Sequence, residues 1–282
     1  MSDSVRLGMV QMSMSDDGPS NLAKALGLVG EAAAKGAQVV CLPELFMSRY
    51  FPASRRSRQE PEPVPGPTSR ALSRAARELG VVLVGGSVYE RAGGKRYNTC
   101  LVFDEKGKAI SKYRKVHIPQ DEHYYEQDYF ASGRSYSVAE SRAGRLGTLI
   151  CFDQWYPEAA RVNRLMGADV IFYPTAIGRV KGIEQVEGDW KQAWEGVQVG
   201  HAIANSVVVC AVNRVGTEGS TTFWGGSFVC DQFGKVVFRA GEEEGAFTAD
   251  CDLGLARTVE GGWGFLRNRQ SSTYGPIAKR RP

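Results

Sequence analysis

Apolar residues in this chain come in short runs separated by longer amphipathic stretches. The runs at 5–10, 39–42, 81–84, 146–150, 170–172 and 207–212 are rich in Val, Leu and Ile. Runs this short, set between Gly and Pro, predict strands buried on both faces. The stretches 21–35, 67–79, 157–166 and 190–205 carry apolar residues at helical spacing. Pro67 suits the first turn of its helix, and Gly36 and Gly80 suit C-terminal stops. Hairpins are predicted where Asp-x-x-Gly-Lys follows an apolar run, at 101–110 and again from 228.

The order of these elements repeats. Val5-Arg6-Leu7-Gly8 resembles Gly144-Arg145-Leu146-Gly147. Gly36-Ala37-Gln38-Val39-Val40 resembles Gly167-Ala168-Asp169-Val170-Ile171, and both runs end at a Pro. Val81-Val82-Leu83-Val84 matches Val207-Val208-Val209-Cys210. Leu101-Val102-Phe103-Asp104 matches Phe228-Val229-Cys230-Asp231. The first pair begins 139 residues apart and the third 126. Strands alternating with helices predict an α/β fold. Burying both faces of such strands twice over predicts a four-layer α-β-β-α sandwich with internal pseudo-two-fold symmetry. We expect one domain over 1–270 and a tail over 271–282. The segment 51–67, with five Pro and five charged residues, reads as a surface loop.

Composition narrows the function. The net charge of +4 owes much to Lys279-Arg280-Arg281, so nucleic acid is not an expected partner. The N-terminus lacks the pattern of a signal peptide, and no apolar run is long enough for a membrane span. The six cysteines lie at least 20 residues apart, which excludes C-x-x-C zinc or redox spacing. Several sit inside apolar strands as small hydrophobes. A cytoplasmic location is the expectation for such thiols.

In α/β proteins ligands bind at the carboxyl ends of strands. Cys151 lies there, where an apolar run gives way to Phe152-Asp153-Gln154-Trp155-Tyr156-Pro157. The helix expected from Pro157 would favour thiolate at Cys151. A thiol near its ordinary pKa still wants a base. His117, His123 and His201 carry no local signature for that role. Glu44, at another strand end between Leu42 and Phe46, is placed for it, because an apolar setting raises a carboxyl toward neutrality. There is no H-E-x-x-H motif, no phosphate-binding glycine loop, and Pro rather than Arg six residues past Cys151.

Leu42-Pro43-Glu44-Leu45-Phe46, Lys112-Tyr113-Arg114-Lys115-Val116-His117-Ile118-Pro119 and Gly147-Thr148-Leu149-Ile150-Cys151-Phe152-Asp153 resemble, in order and spacing, the three motifs of the nitrilase (carbon–nitrogen hydrolase) superfamily. The resemblance runs from Val5 to about Arg269. It implies that Cys151 is the nucleophile, Glu44 its general base, and Lys115 with the Phe152 backbone N–H the oxyanion site. It also implies a second glutamate near Lys115, best matched by Glu126, with Glu122, Asp121 and Asp128 as neighbours. No metal or cofactor is implied. Family members are oligomers, so a homo-oligomer is expected.

The segments Cys151–Arg161, 172–178 and 263–269 look most like the N-carbamoylputrescine amidohydrolase branch. That branch implies hydrolysis of a non-peptide C–N bond in a small molecule, N-carbamoylputrescine first. The alternatives are an N-carbamoyl amino acid, an aliphatic ω-amide or, more distantly, an inactive interaction protein. Tyr50, Tyr125, Trp155 and Trp190 are expected as pocket walls. Asp153, Gln154, Thr175 and Ala176 are further expected substrate contacts. One departure stands out. Where the branch has an acidic residue after Ala-Ile-Gly, this chain has Arg179-Val180-Lys181. Glu184, Glu187 or Asp189 would have to pair a cationic tail, whereas Arg179 or Lys181 facing the pocket would select an anionic one.

Overall fold

The structure, a computed structural model, describes residues 3–279, without the side chains of Glu184 and Gln185. The first half runs β1 (Ser4–Gln11), α1 (Gly18–Ala34), β2 (Val39–Cys41), α2 (Pro67–Leu79), β3 (Val82–Val84), β4 (Val88–Ala92), β5 (Lys95–Phe103) and β6 (Ala109–Arg114). The second runs β7 (Val138–Ser141), β8 (Gly144–Thr148), α3 (Pro157–Leu165), β9 (Val170–Pro174), β10 (Gly178–Val180), α4 (Glu184–Glu187), α5 (Trp190–Asn205) and β11 (Val208–Val212). It continues through β12 (Val215–Glu218), β13 (Thr221–Trp224), β14 (Phe228–Cys230) and β15 (Val236–Arg239) to β16 (Gly245–Asp252) and α6 (Leu255–Gly262).

The two main sheets repeat one plan. β1, β2 and β3 pair in parallel, as β8, β9 and β11 do. β5 and β6 then add antiparallel strands to the first sheet, and β14 and β15 to the second. Even the irregularity is duplicated: each hairpin shifts register at one place, between Val102 and Phe103 and between Val229 and Cys230. Both turns are built alike. Asp104 Oδ1 accepts from the N–H groups of Lys106 and Lys108, and Asp231 Oδ1 from those of Phe233 and Lys235. Gly107 and Gly234 both take φ 79°, a left-handed value that suits glycine.

Period-two alternation sorts the side chains into layers. Leu7, Met9, Val39, Cys41, Val82 and Val84 face the other sheet, within a core that includes Ile171, Phe172 and Val209. Their neighbours Val10, Val40 and Leu83 point outward, onto Ala25 and Val29 of α1 and Leu72 of α2. Helix, sheet, sheet and helix therefore stack as a four-layer α-β-β-α sandwich. α2 begins at Pro67 and stops at Gly80, whose φ is 63°.

β16 takes the place beside β1 that β7 takes beside β8, and pairs antiparallel with β1 over eight residues, from Ser4 against Asp252 to Gln11 against Gly245. A separate small sheet, β10-β13-β12, stands beside the strand ends that carry the site. The 51–67 segment is only partly a surface loop. Pro52 is buried, and the Phe51 ring packs 5.1 Å from both Tyr89 and Tyr129. Among the described residues no helix is long and apolar enough to cross a membrane.

Candidate active site

Glu44, Lys115 and Cys151 each follow the end of a strand, β2, β6 and β8 respectively. Glu44 sits in a tight turn. The next residue, Leu45, has φ 48°, and a Cβ on Gly86 would lie 2.2 Å from the Pro43 carbonyl oxygen. Only glycine at 86 lets that turn approach β3 so closely. Cys151 has φ 42°, unfavourable for a residue with a side chain, and opens a 3-10 helix, Cys151–Trp155. Asp153 holds this elbow. Its Oδ2 accepts from the Ile150 N–H at 2.9 Å and the Tyr113 hydroxyl at 2.6 Å; its Oδ1 accepts from the His117 N–H at 3.0 Å.

The Lys115 side chain is fully buried, with its ammonium between two carboxylates. Nζ lies 2.9 Å from Glu44 Oε1 and 2.8 Å from each oxygen of Glu126. Glu44 Oε1 also accepts from Asn98 at 2.8 Å, and Glu126 Oε1 from the Tyr50 hydroxyl at 2.6 Å. Glu44 Oε2 is buried with no partner among the described residues.

The electrostatics follow from burial. Desolvation pushes the Cys151 thiol well above its ordinary value; Glu44 pushes the same way, and Lys115 only partly offsets them. Burial therefore works against the thiolate that the helix end would favour, and the need of Cys151 for a base is the greater. Burial, opposed by Lys115 and aided by Glu44, pushes Glu126 up to about 7. Burial alone would lower Lys115, but Glu126 and Glu44 outweigh it and hold the ammonium above its ordinary value.

Cys151 and Glu126 open onto a cavity of about 730 Å³, shared with Tyr124, Phe152, Gln154 and Trp155. Arg179, Glu187, Asp189 and Trp190 line its outer part. Several expected contacts lie elsewhere. Tyr50 is behind the wall, bonded to Glu126. Tyr125 turns away beneath Arg55, whose guanidinium is 4.3 Å from its ring, and Tyr124 takes its place. Asp153 is spent on the elbow. Thr175 is buried, its hydroxyl donating to the Tyr173 carbonyl at 2.9 Å. Ala176 offers its carbonyl to Cys151 Sγ at 3.8 Å instead of lining the cavity. The Glu184 side chain lies outside the described residues. Gln154 does line the cavity, with Oε1 held by the Trp194 indole at 2.9 Å and Nε2 unpartnered.

Among the described residues no histidine is hydrogen-bonded to Cys151. His117 stacks on Tyr156 at 3.6 Å and bonds Asp153, and His201 bonds Tyr173. His123 faces Ser220 and Glu122. Residues missed in the sequence are Tyr50 as a hydrogen-bond donor, Asn98, Tyr124 and the Arg214–Glu218 pair; none stands in a local pattern that marks it.

Comparison with known proteins places the chain in a family. Residues 6–260 match the family model described as carbon-nitrogen hydrolase. An N-carbamoylputrescine amidase of Solanum lycopersicum is 37% identical, over 96% of this chain and 93% of its own. A citrullinase of Francisella tularensis is 33% identical over 98% and 99%, and an omega-amidase of Xenopus laevis 34% over 95% and 96%. The crystal structure of a carbon-nitrogen hydrolase from Helicobacter pylori superposes with a TM-score of 0.89 at 31% identity, covering 99% of this chain and 100% of that one. A family model over nearly the whole chain, relatives above 30% identity and a shared fold show that the chain belongs to the carbon-nitrogen hydrolase family and is an amidohydrolase.

Proposed function

We propose that this amidohydrolase cleaves the terminal C–N bond of an N-carbamoyl amine, with N-carbamoylputrescine as the first compound to test. The observation that carries the mechanism is a thiol, Cys151, buried among Glu44, Lys115 and Glu126 beside a cavity. Glu44 takes the thiol proton, and Sγ attacks the carbonyl carbon. Support for Glu44 as base is its buried, unpartnered Oε2. Lys115 and the Phe152 backbone N–H stabilise the oxyanion. That N–H belongs to the first turn of a 3-10 helix, where backbone donors have no intrahelical acceptor. Collapse breaks the C–N bond, and Glu44 returns its proton to the departing nitrogen. Water, activated by Glu44, then hydrolyses the thioester-type intermediate, freeing Cys151 and a carbamate that loses CO2 to give the amine, with ammonia as the other product. Glu126 orients Lys115 throughout.

The carbamoyl reading is supported by relatives named for N-carbamoylputrescine and citrulline, both of which end in a ureido group. A linear ω-amide is the second reading, supported by the omega-amidase relative. The cavity carries both signs of charge, Arg179 against Glu187 and Asp189, and a buried Val180 where the branch has an acid. Ammonia release from N-carbamoylputrescine, N-carbamoyl-β-alanine and glutaramate tests the reading. It fails if none is cleaved, or if the Cys151→Ala protein still turns over the one that is.

Six free, buried cysteines support a reducing, cytoplasmic setting. Exposed Leu165, Met166, Ile203 and Trp263 support a homo-oligomer, which light scattering tests.

A further inference from the structure

Arg214 lies two residues beyond β11, and its side chain is completely buried. Every terminal N–H of its guanidinium has an acceptor. Nη2 donates to the Glu44 carbonyl at 2.6 Å and the Leu45 carbonyl at 3.1 Å. Nη1 donates to the Ser48 carbonyl at 3.3 Å and to Glu218 Oε1 at 2.9 Å. The turn held in this way is strained. Leu45 occupies the left-handed region at φ 48°, which a branched side chain disfavours. From the other side its N–H donates to Ser87 Oγ at 2.9 Å. With Arg214 on the carbonyls and Ser87 on the amide, the turn stays where it aims the Glu44 side chain at Lys115.

Glu218 extends the arrangement to the second carboxylate. Its Oε2 accepts the Tyr50 backbone N–H at 2.5 Å, and the Tyr50 hydroxyl donates to Glu126 Oε1 at 2.6 Å. The guanidinium carbon also sits 6.0 Å from the Tyr50 ring. One ion pair therefore holds Glu44 through its backbone and Glu126 through Tyr50. Neither Arg214 nor Glu218 lines the cavity. A buried pair of this kind is weak evidence for stability, because desolvation offsets much of its attraction. Fixing geometry is a use that fits its partners. The task also calls for a guanidinium: a planar fork spans three carbonyls and a carboxylate, which a compact ammonium with three donors cannot do.

We infer that Arg214 and Glu218 are positioning residues that set the two carboxylates of the site together. The inference rests on the reading of Cys151 as nucleophile and Glu44 as its base. The same Asn213–Arg214 dipeptide ties in the wall beside Cys151. Asn213 Oδ1 accepts from the Ile177 N–H at 3.1 Å, and Nδ2 donates to the Ile177 carbonyl at 2.9 Å.

Alkylation of Cys151 by limiting iodoacetamide tests the inference without a known substrate. In that step the Sγ–CH2 bond forms, the C–I bond breaks, iodide leaves and the thiol proton passes to Glu44. Peptide mass mapping reads the rate at Cys151 across pH for wild type, Glu218→Gln and Arg214→Lys. We expect Glu218→Gln to slow labelling by at least about tenfold and Arg214→Lys by about a hundredfold, the scale of a misplaced reacting group. The acid limb of the rate should also move to higher pH in Glu218→Gln, because Tyr50 no longer steadies ionised Glu126. A purely structural role would not move that limb. Circular dichroism identifies the folded variants, and if Arg214→Lys does not fold, the near-isosteric Glu218→Gln carries the test. A folded Glu218→Gln protein with wild-type rate and pH profile overturns the positioning role. A wild-type protein that labels first at another cysteine overturns the reading of the site, and the positioning role with it.

Discussion

Tyr50 donates its hydroxyl proton to Glu126 Oε1 at 2.6 Å, joining the loop after β2 to the short 3-10 turn that carries Glu126. Burial raises the Glu126 carboxyl to about 7, whereas this bond and Lys115 favour its ionised form. In the proposed mechanism, protonating Glu126 leaves Glu44 as the one charged partner of Lys115 and makes Glu44 a weaker base. We therefore expect kcat/KM to fall as pH drops through about 7. In Tyr50→Phe the acid limb should move up by about one pH unit or more, since a hydrogen bond to a charged group contributes roughly 1.5–3 kcal/mol. An unchanged limb in the pH–rate profile would show that Tyr50 does not tune Glu126. The sign for stability is opposite to the usual carboxylate case. Between the ordinary value of 4.5 and about 7 the folded state holds a proton that the unfolded chain has released, so this group costs stability as pH rises across that window.

Cys151 should react with iodoacetamide ahead of the other five cysteines. All six thiols are free and buried, and burial pushes Cys100, Cys230 and Cys251 up to about 12. Only Cys151 lines the cavity, and only Cys151 has Lys115 acting to lower it. Peptide mapping after limited labelling decides this. First modification at Cys100 or Cys230 would contradict the assignment.

Lys115→Arg should not behave as a conservative change. The ammonium meets three carboxylate oxygens in a site with no exposure, and a larger planar group cannot fit the same contacts. A loss in kcat of at least about a hundredfold is expected, in line with removing an oxyanion donor. Steady-state rates within tenfold of wild type would make Lys115 structural only.

Away from the site, Glu90 is the group whose charge should show most clearly in stability. Burial pushes its carboxyl up, but hydrogen bonds from Arg114, Lys112 and Thr99 outweigh that and bring it down to about 2. A depressed carboxyl stabilises the fold above its unfolded value of 4.5, and that contribution fades as pH falls toward about 2. Glu90→Gln should cost on the order of 2 kcal/mol at pH 7, since Arg114 and Lys112 lose their partner. Urea denaturation at pH 7 and again near pH 3 checks it: the difference between variant and wild type should shrink at the lower pH. An equal difference at both would assign the effect to packing rather than charge.

Much of the architecture was legible because the chain states it twice. The duplicated strand–helix order and the duplicated Asp-x-x-Gly-Lys turns led to layers whose pairings repeat strand for strand. Helices 67–79 and 190–205 have the bounds their patterns predicted, since Pro67, Gly80 and Asp189 act locally at their ends. Glu44 and Cys151 could be singled out for a related reason, since each stands just past a strand whose end is marked by composition, whereas Lys115 entered through the resemblance of its motif.

What only the tertiary structure decided depends on partners far away in the chain. Whether Tyr124 or Tyr125 faces the cavity turns on His123 at φ 62°, a choice no local propensity fixes. Tyr50 reads as an apolar wall until Glu126 arrives, 76 residues later, to accept its proton. β16 is an ordinary strand in sequence, and its partner β1 lies more than 230 residues earlier. The upward push on the Cys151 thiol likewise comes from burial and from Glu44, neither of which its neighbours in sequence reveal. Arg214 and Glu218 form another such link, reaching back to Glu44 and Tyr50 across about 170 residues. Strand and turn signals come from neighbours along the chain, so one sequence carries them. A buried charge takes its meaning from the groups that close around it, and those are brought together only by the fold.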